Sequence, residues 1–92
     1  MLDVEYSTRF KKDIKNCKKR HNNIEQLKRI VDILRIPEVL PFKNFDHILT
    51  GDYIGYRECH IAPDWLLIYR YRGNKLFLFR TGTHADLFGH NK

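Results

Sequence analysis

The chain has little of what would place it outside the class of small mixed domains. No apolar stretch approaches the roughly 18 residues that a membrane-spanning helix needs. The opening Met1-Leu2-Asp3-Val4-Glu5 does not have the form of a secretory signal. Cysteine is scarce. Cys17 and Cys59 lack paired spacing, so the expectation is two buried thiols in a cytoplasmic protein rather than a disulfide framework. Repeats, low-complexity tracts and linkers are missing as well. Acidic residues are few, 11 against 17 Lys and Arg, which gives a net charge of +6 and a pI near 9.5. That balance favours a polyanionic partner, most simply nucleic acid, but many small proteins share it.

What is present suffices for one domain. Ninety-two residues, 42% hydrophobic and 13% aromatic, can fill a single modest core. Leu2 to Tyr6 alternates apolar and acidic residues, as a half-exposed strand does. Ser7 or Thr8 can cap a helix whose apolar stripe is Phe10, Ile14 and Cys17. Lys11, Lys12, Lys15, Lys18, Lys19 and Arg20 cover its other sides, either as a solvated face or as a footprint for phosphates. His21-Asn22-Asn23 breaks that helix. Asn23 and Gln26 then resemble a capping box opening a second helix, with Ile24, Leu27, Ile30, Val31 and Leu34 on its buried side. The short connection predicts an antiparallel helical hairpin that needs a sheet to pack on.

From Pro37 to about Tyr53 the chain reads as a long irregular segment, a length that is usually functional or disordered. Pro41, Asn44, Asp46, His47 and Gly51 fall there, and Phe42, Phe45, Ile48 and Leu49 argue for anchoring. Three strands follow: Tyr56 to Ile61, Trp65 to Arg72 and Lys75 to Thr81. Ala62-Pro63-Asp64 and Gly73-Asn74 are the turns between them.

The last strand ends in the candidate working segment, Phe79-Arg80-Thr81-Gly82-Thr83-His84. Arginine offers a fixed fork of donors suited to phosphate, and histidine moves protons near neutral pH. His47, His60 and Asp64 stand upstream where strands or loops should end. If Gly73-Asn74 is the whole hairpin loop, Leu67 faces Arg80. If the preceding loop has an even number of residues, His60 faces Leu67. His60, Leu67 and Arg80 would then share one row, its outer members roughly 10 Å apart, with Phe77 and Phe79 on the opposite face. An odd loop or a bulge near Pro63 would turn His60 over. A zinc site from Cys59, His60 and His84 lacks a closely spaced ligand pair.

Taken together, Asp46-His47, Gly55-Tyr56-Arg57, His60, Pro63-Asp64-Trp65, Leu67-Ile68-Tyr69, Arg80-Thr81-Gly82-Thr83-His84 and Leu87-Phe88-Gly89 resemble the YafQ branch of the RelE-type toxins. The likeness runs over nearly the whole chain, including Phe10-Lys11-Lys12-Asp13. It implies an α+β fold, with a two-helix N-terminal hairpin packed on a small antiparallel sheet. It also implies a ribosome-dependent endoribonuclease that cuts messenger RNA in the A site and is silenced by an acidic cognate antitoxin. The toxin alone would be a monomer, with no cofactor.

By the same resemblance His47, His60, Asp64, Arg80 and His84 fall on catalytic positions. Trp65 and Phe88 fall on positions that hold or stack substrate, and Glu58 falls where related toxins carry an acidic residue. The implied reaction uses the RNA 2′-hydroxyl as nucleophile, which needs a base, an acid and donors for the phosphorane charge. His84 is the candidate acid, Asp64 or His60 the base or its orienter, Arg80 the phosphate holder, and His47 a donor to the free oxygen. A non-nucleolytic ParE-like toxin or a general nucleic-acid-binding module on the same fold is the alternative. Neither would be expected to gather three histidines and an aspartate at one place.

Overall fold

The structure is a computed structural model that describes residues 1–36 and 47–89. Pro37, Pro41, Phe42, Asn44, Phe45, Asp46 and the His90-Asn91-Lys92 tail lie outside the described residues. The elements in chain order are β1 (Asp3–Tyr6), α1 (Thr8–Lys19), α2 (Ile24–Arg35), β2 (His47–Ile48), β3 (Arg57–Ala62), β4 (Trp65–Arg72), β5 (Lys75–Gly82) and α3 (His84–Phe88). A short 3₁₀ turn, Gly51–Tyr53, precedes β3.

The helix boundaries follow from capping chemistry. Ser7 accepts from Phe10 N at 2.9 Å, and its hydroxyl donates to Phe79 O, so one residue both starts α1 and ties it to β5. At the other end His21 adopts φ +63°, with His21 N bonded to Lys18 O and Asn22 N to Cys17 O. That is a Schellman closure with histidine where glycine is usual. Asn23 caps α2 through Glu25 N at 3.0 Å, a local turn rather than the reciprocal box expected with Gln26.

The sheet has the order β1-β5-β4-β3-β2. Pairs β2–β3, β3–β4 and β4–β5 are antiparallel, whereas β1 lies parallel to β5, with Val4 opposite Leu76. The sheet is therefore mixed at one edge. β4 sits at its centre, and Trp65 through Tyr69 are buried on both faces. Phe10, Cys17, Leu27, Ile30 and Leu34 of α1 and α2 pack on the face bearing Cys59, Leu67, Tyr69, Leu76 and Leu78. Leu87 of α3 packs with Leu66 and Ile68 on the other face, together with Leu49, Tyr53, Tyr56, Phe79 and Phe88.

Two bulges change the strand register. The Gly73-Asn74 turn is as expected, with Gly73 at φ +60° and Arg72 opposite Lys75. That pairing persists to Tyr69 opposite Leu78, and then Phe79 is inserted, so that Ile68 faces Arg80 and Leu66 faces Gly82. A second shift at Ile61 sets His60 against Leu66. The expected row of His60, Leu67 and Arg80 is thus replaced by two rows, His60–Leu66–Gly82 and Glu58–Ile68–Arg80. One extra residue in a strand redirects the side chains beyond it. The bulge at Ile61 takes His60 off the helix-covered Leu67 face and onto the open one, while the bulge at Phe79 pairs Thr81 with Leu67.

Candidate active site

Four of the expected groups lie at the open face. His84 opens α3, where Thr83 caps the helix by accepting from Asp86 N at 3.1 Å while Asp86 Oδ2 accepts from Thr83 N at 2.9 Å. Gly82 makes this turn possible, because a Cβ there would come within 2.8 Å of Asp86 Oδ2. Asp64, in the β3–β4 turn, meets the same helix end. Its Oδ1 accepts from His84 N at 3.0 Å and lies 2.6 Å from His84 Nδ1. These bonds, the backbone one foremost, hold the Asp64 carboxyl below its ordinary range. An ionised carboxylate can only accept, so His84 Nδ1 carries a proton towards Asp64, and Nε2 is the ring nitrogen left for another partner.

The His60 ring lies 5.8 Å from that of His84, centroid to centroid, nearly edge to face. Glu58 stands behind His60. Its Oε1 is 3.2 Å from His47 Nε2 and 3.9 Å from His60 Nε2, and its side chain is only 5% exposed. The buried Glu58 side chain is thus within hydrogen-bond distance of His47 and lies beside His60, between the two imidazoles. The Phe88 ring closes the side of the site, 6.4 Å from that of His84. It is held edge-on by Tyr53, whose hydroxyl donates to Leu87 O at 2.8 Å.

Two further expected site residues have partners inside the fold. Trp65 is 4% exposed in the helix-side core, and its indole donates to Thr81 Oγ1 at 2.9 Å, which ties the start of β4 to the end of β5. Arg80, expected to grip a phosphate, points to α1. Its Nε and Nη2 lie 2.7 and 3.2 Å from the Asp13 carboxylate, and its side chain is 11% exposed. The Asp13 hydrogen bond raises the guanidinium above its ordinary value. Asp13 also accepts from Thr81 N at 3.1 Å. The fork that suits a phosphate is thus occupied by a carboxylate of the same geometry.

Sequence reasoning missed Asp13, Tyr53 and the pair Arg20–Asp86. Arg20 Nη1 lies 2.5 Å from Asp86 Oδ2, which joins the end of α1 to the helix that carries His84. That bond is the main reason the Asp86 carboxyl falls to about 2. No local pattern marks any of these residues, since their partners are tens of residues away in the chain. Cys59, weighed as a zinc ligand, lies in the helix-side core, on the face of β3 opposite His60.

Nearly the whole chain matches known proteins. Residues 2–89 fit a family model described as bacterial toxin of type II toxin-antitoxin system, YafQ. The mRNA interferase toxin YafQ of Escherichia coli strain K12 is 45% identical over 89 residues, spanning 95% of this chain and 96% of that one. The crystal structure of YafQ from E. coli strain BL21(DE3) superposes with a TM-score of 0.89 at 42% identity, covering 97% of this chain and all of that one. YafQ in the E. coli DinJ-YafQ toxin-antitoxin complex superposes at 0.87 with 44% identity, covering 96% of this chain and 98% of that one.

Proposed function

The chain belongs to the YafQ family of type II toxin–antitoxin toxins, and on that premise we propose that it is an endoribonuclease that cuts messenger RNA on the ribosome. The observation that carries this reading is the convergence of the Asp64–His84 pair on His60, with imidazoles 5.8 Å apart on the open face of the sheet. That spacing allows one imidazole on each side of a phosphodiester.

In the proposed reaction His60 takes the proton of the 2′-hydroxyl, and O2′ attacks phosphorus. The bond from phosphorus to O5′ breaks, and His84, entering the step as an imidazolium with a proton on each ring nitrogen, gives the one on Nε2 to the leaving oxygen. The products are a 2′,3′-cyclic phosphate and a free 5′-hydroxyl, and no metal enters the balance. Asp64 cannot easily be the base while its carboxylate orients His84, so it serves as orienter. Glu58 holds His60 and His47, and His47, half exposed on β2, faces the free phosphate oxygens. Arg80 contributes a fixed positive charge beneath the site through its link to Asp13.

The same geometry is consistent with dependence on the ribosome. With Arg80 held by Asp13, the site has few ligands of its own to place a phosphate, and positioning supplies a large part of any catalysed rate. The surface lysines of α1 suit ribosomal RNA. By analogy with the complex of E. coli YafQ with DinJ, the toxin is silenced by a cognate acidic antitoxin in the cytoplasm. Primer extension on translated messages tests the reading. Wild type should leave defined cuts within codons that His84→Ala does not make. Cuts that persist in the variant would refute it.

A further inference from the structure

The face that carries His60 continues along the strands into a patch that the cleavage chemistry does not use. Tyr56 stacks on Phe79, centroids 4.5 Å apart and planes 15° apart, and Phe77 lies 6.0 Å from Phe79 at 33°. Two guanidiniums cover these rings. Arg70 Cζ is 5.2 Å from the Tyr56 centroid, and Arg72 Cζ is 4.5 Å from that of Phe77. Neither arginine pairs with a carboxylate among the described residues. Arg72 is exposed and the other four side chains are half-buried, because α1 and α2 pack on the opposite face. Tyr56 stands immediately before β3, four residues ahead of His60, so the patch begins about 13 Å from the histidines at 3.3 Å per residue of extended chain.

We propose that this patch binds the single-stranded message on one side of the scissile phosphate. Bases stack on the guanidinium and phenyl planes, and the phosphates are drawn to Arg70 and Arg72. Stacking on aromatic and arginine planes is how proteins hold single-stranded RNA without a groove. A cation lying flat on a ring offers a second flat face to a base and its edge to a phosphate oxygen. The patch lies on the same face as the candidate cleavage site, which favours the substrate strand over an acidic protein segment as its occupant. It also supplies the phosphate contacts that Arg80 does not make. The proposal rests on the nuclease reading above.

The test uses the wild-type protein and a 2′-O-methyl RNA decamer, which lacks the free hydroxyl and is not cut by this route. Fluorescence anisotropy over a salt series gives the affinity and its salt slope. Arg70→Gln/Arg72→Gln should weaken binding on the order of tenfold near 0.1 M salt and reduce the slope by about 1.4, two contacts at about 0.7 each for single strands. If the double variant does not fold, Arg72→Gln alone should show about half that slope change. Unchanged affinity and slope in the arginine variants would overturn the proposal. So would no decamer binding by wild type, or loss of antitoxin binding with RNA binding intact. If His84→Ala still cuts messages while the arginine variants lose RNA, the nuclease reading fails and the patch stands. If His84→Ala is inactive and the arginine variants bind RNA normally, the patch alone fails.

Discussion

Asp13→Ala should be among the most damaging single substitutions in the chain, although Asp13 touches no substrate. Its carboxylate accepts from Arg80 Nε at 2.7 Å, Arg80 Nη2 at 3.2 Å and Thr81 N at 3.1 Å. The two side chains are 11% and 10% exposed, so solvent cannot replace what is removed. Truncation leaves a guanidinium and a backbone N–H without their acceptor, and arginine cannot shed its proton to escape. Breaking a buried pair in this way costs about 3–5 kcal/mol. A domain of this length has roughly 5–14 kcal/mol of stability in all. The thermal midpoint should therefore fall by at least about 12 °C, at about 4 °C or more per kcal/mol. The urea midpoint should fall by at least about 1 M, with the slope unchanged. Asp13→Leu/Arg80→Met, which removes both charges, should recover much of the loss. Equilibrium urea unfolding of the variants decides. A cost below about 1 kcal/mol for Asp13→Ala would mean that Arg80 is solvated and free to bind phosphate, against the geometry described here.

Asp64→Asn should lower cleavage by about 10- to 100-fold while stability changes by less than about 1 kcal/mol, because an exposed orienting bond is lost; single-turnover cleavage beside a thermal scan separates the two. The Asp86 carboxyl is depressed from 3.8 to about 2, so its contribution is complete above about pH 4 and is lost as pH falls towards 2. With Arg20 nearly half exposed, that contribution is no more than about 1 kcal/mol. Asp86→Asn should accordingly flatten this part of the acid limb in urea titrations at pH 4 and 2. His21→Gly should raise stability by about 0.5–1 kcal/mol, since the left-handed conformation at φ +63° strains any residue with a Cβ. A lower unfolding midpoint in that variant would show that the histidine side chain has a partner worth more than the strain.

Much of the fold was legible because it rests on local rules. Ser7 caps α1, the stripe Phe10–Cys17 faces the sheet, and a two-residue turn with glycine first sets the start of the β4–β5 hairpin. The parallel edge was not legible. β1 joins β5 across most of the chain, and alternation in a four-residue strand does not say which edge it takes or in which direction. The candidate site was half legible. His47, His60, Asp64 and His84 do gather, but through a different register from the one counted out from the turns.

By itself the sequence determined the element types, the helix starts, the hairpin turn and the identity of the groups able to move protons, all of which depend on neighbours a few residues away. Tertiary structure alone decided what those groups face. The insertions at Ile61 and Phe79 are backbone choices whose energy lies in packing on both faces of β4, so no single strand's pattern announces them. The same holds for Arg80. A guanidinium fits a phosphate and a carboxylate equally well. Only the folded chain places Asp13 of α1 at 2.7 Å, so the residue that looked most like a substrate ligand already has a carboxylate partner within the fold.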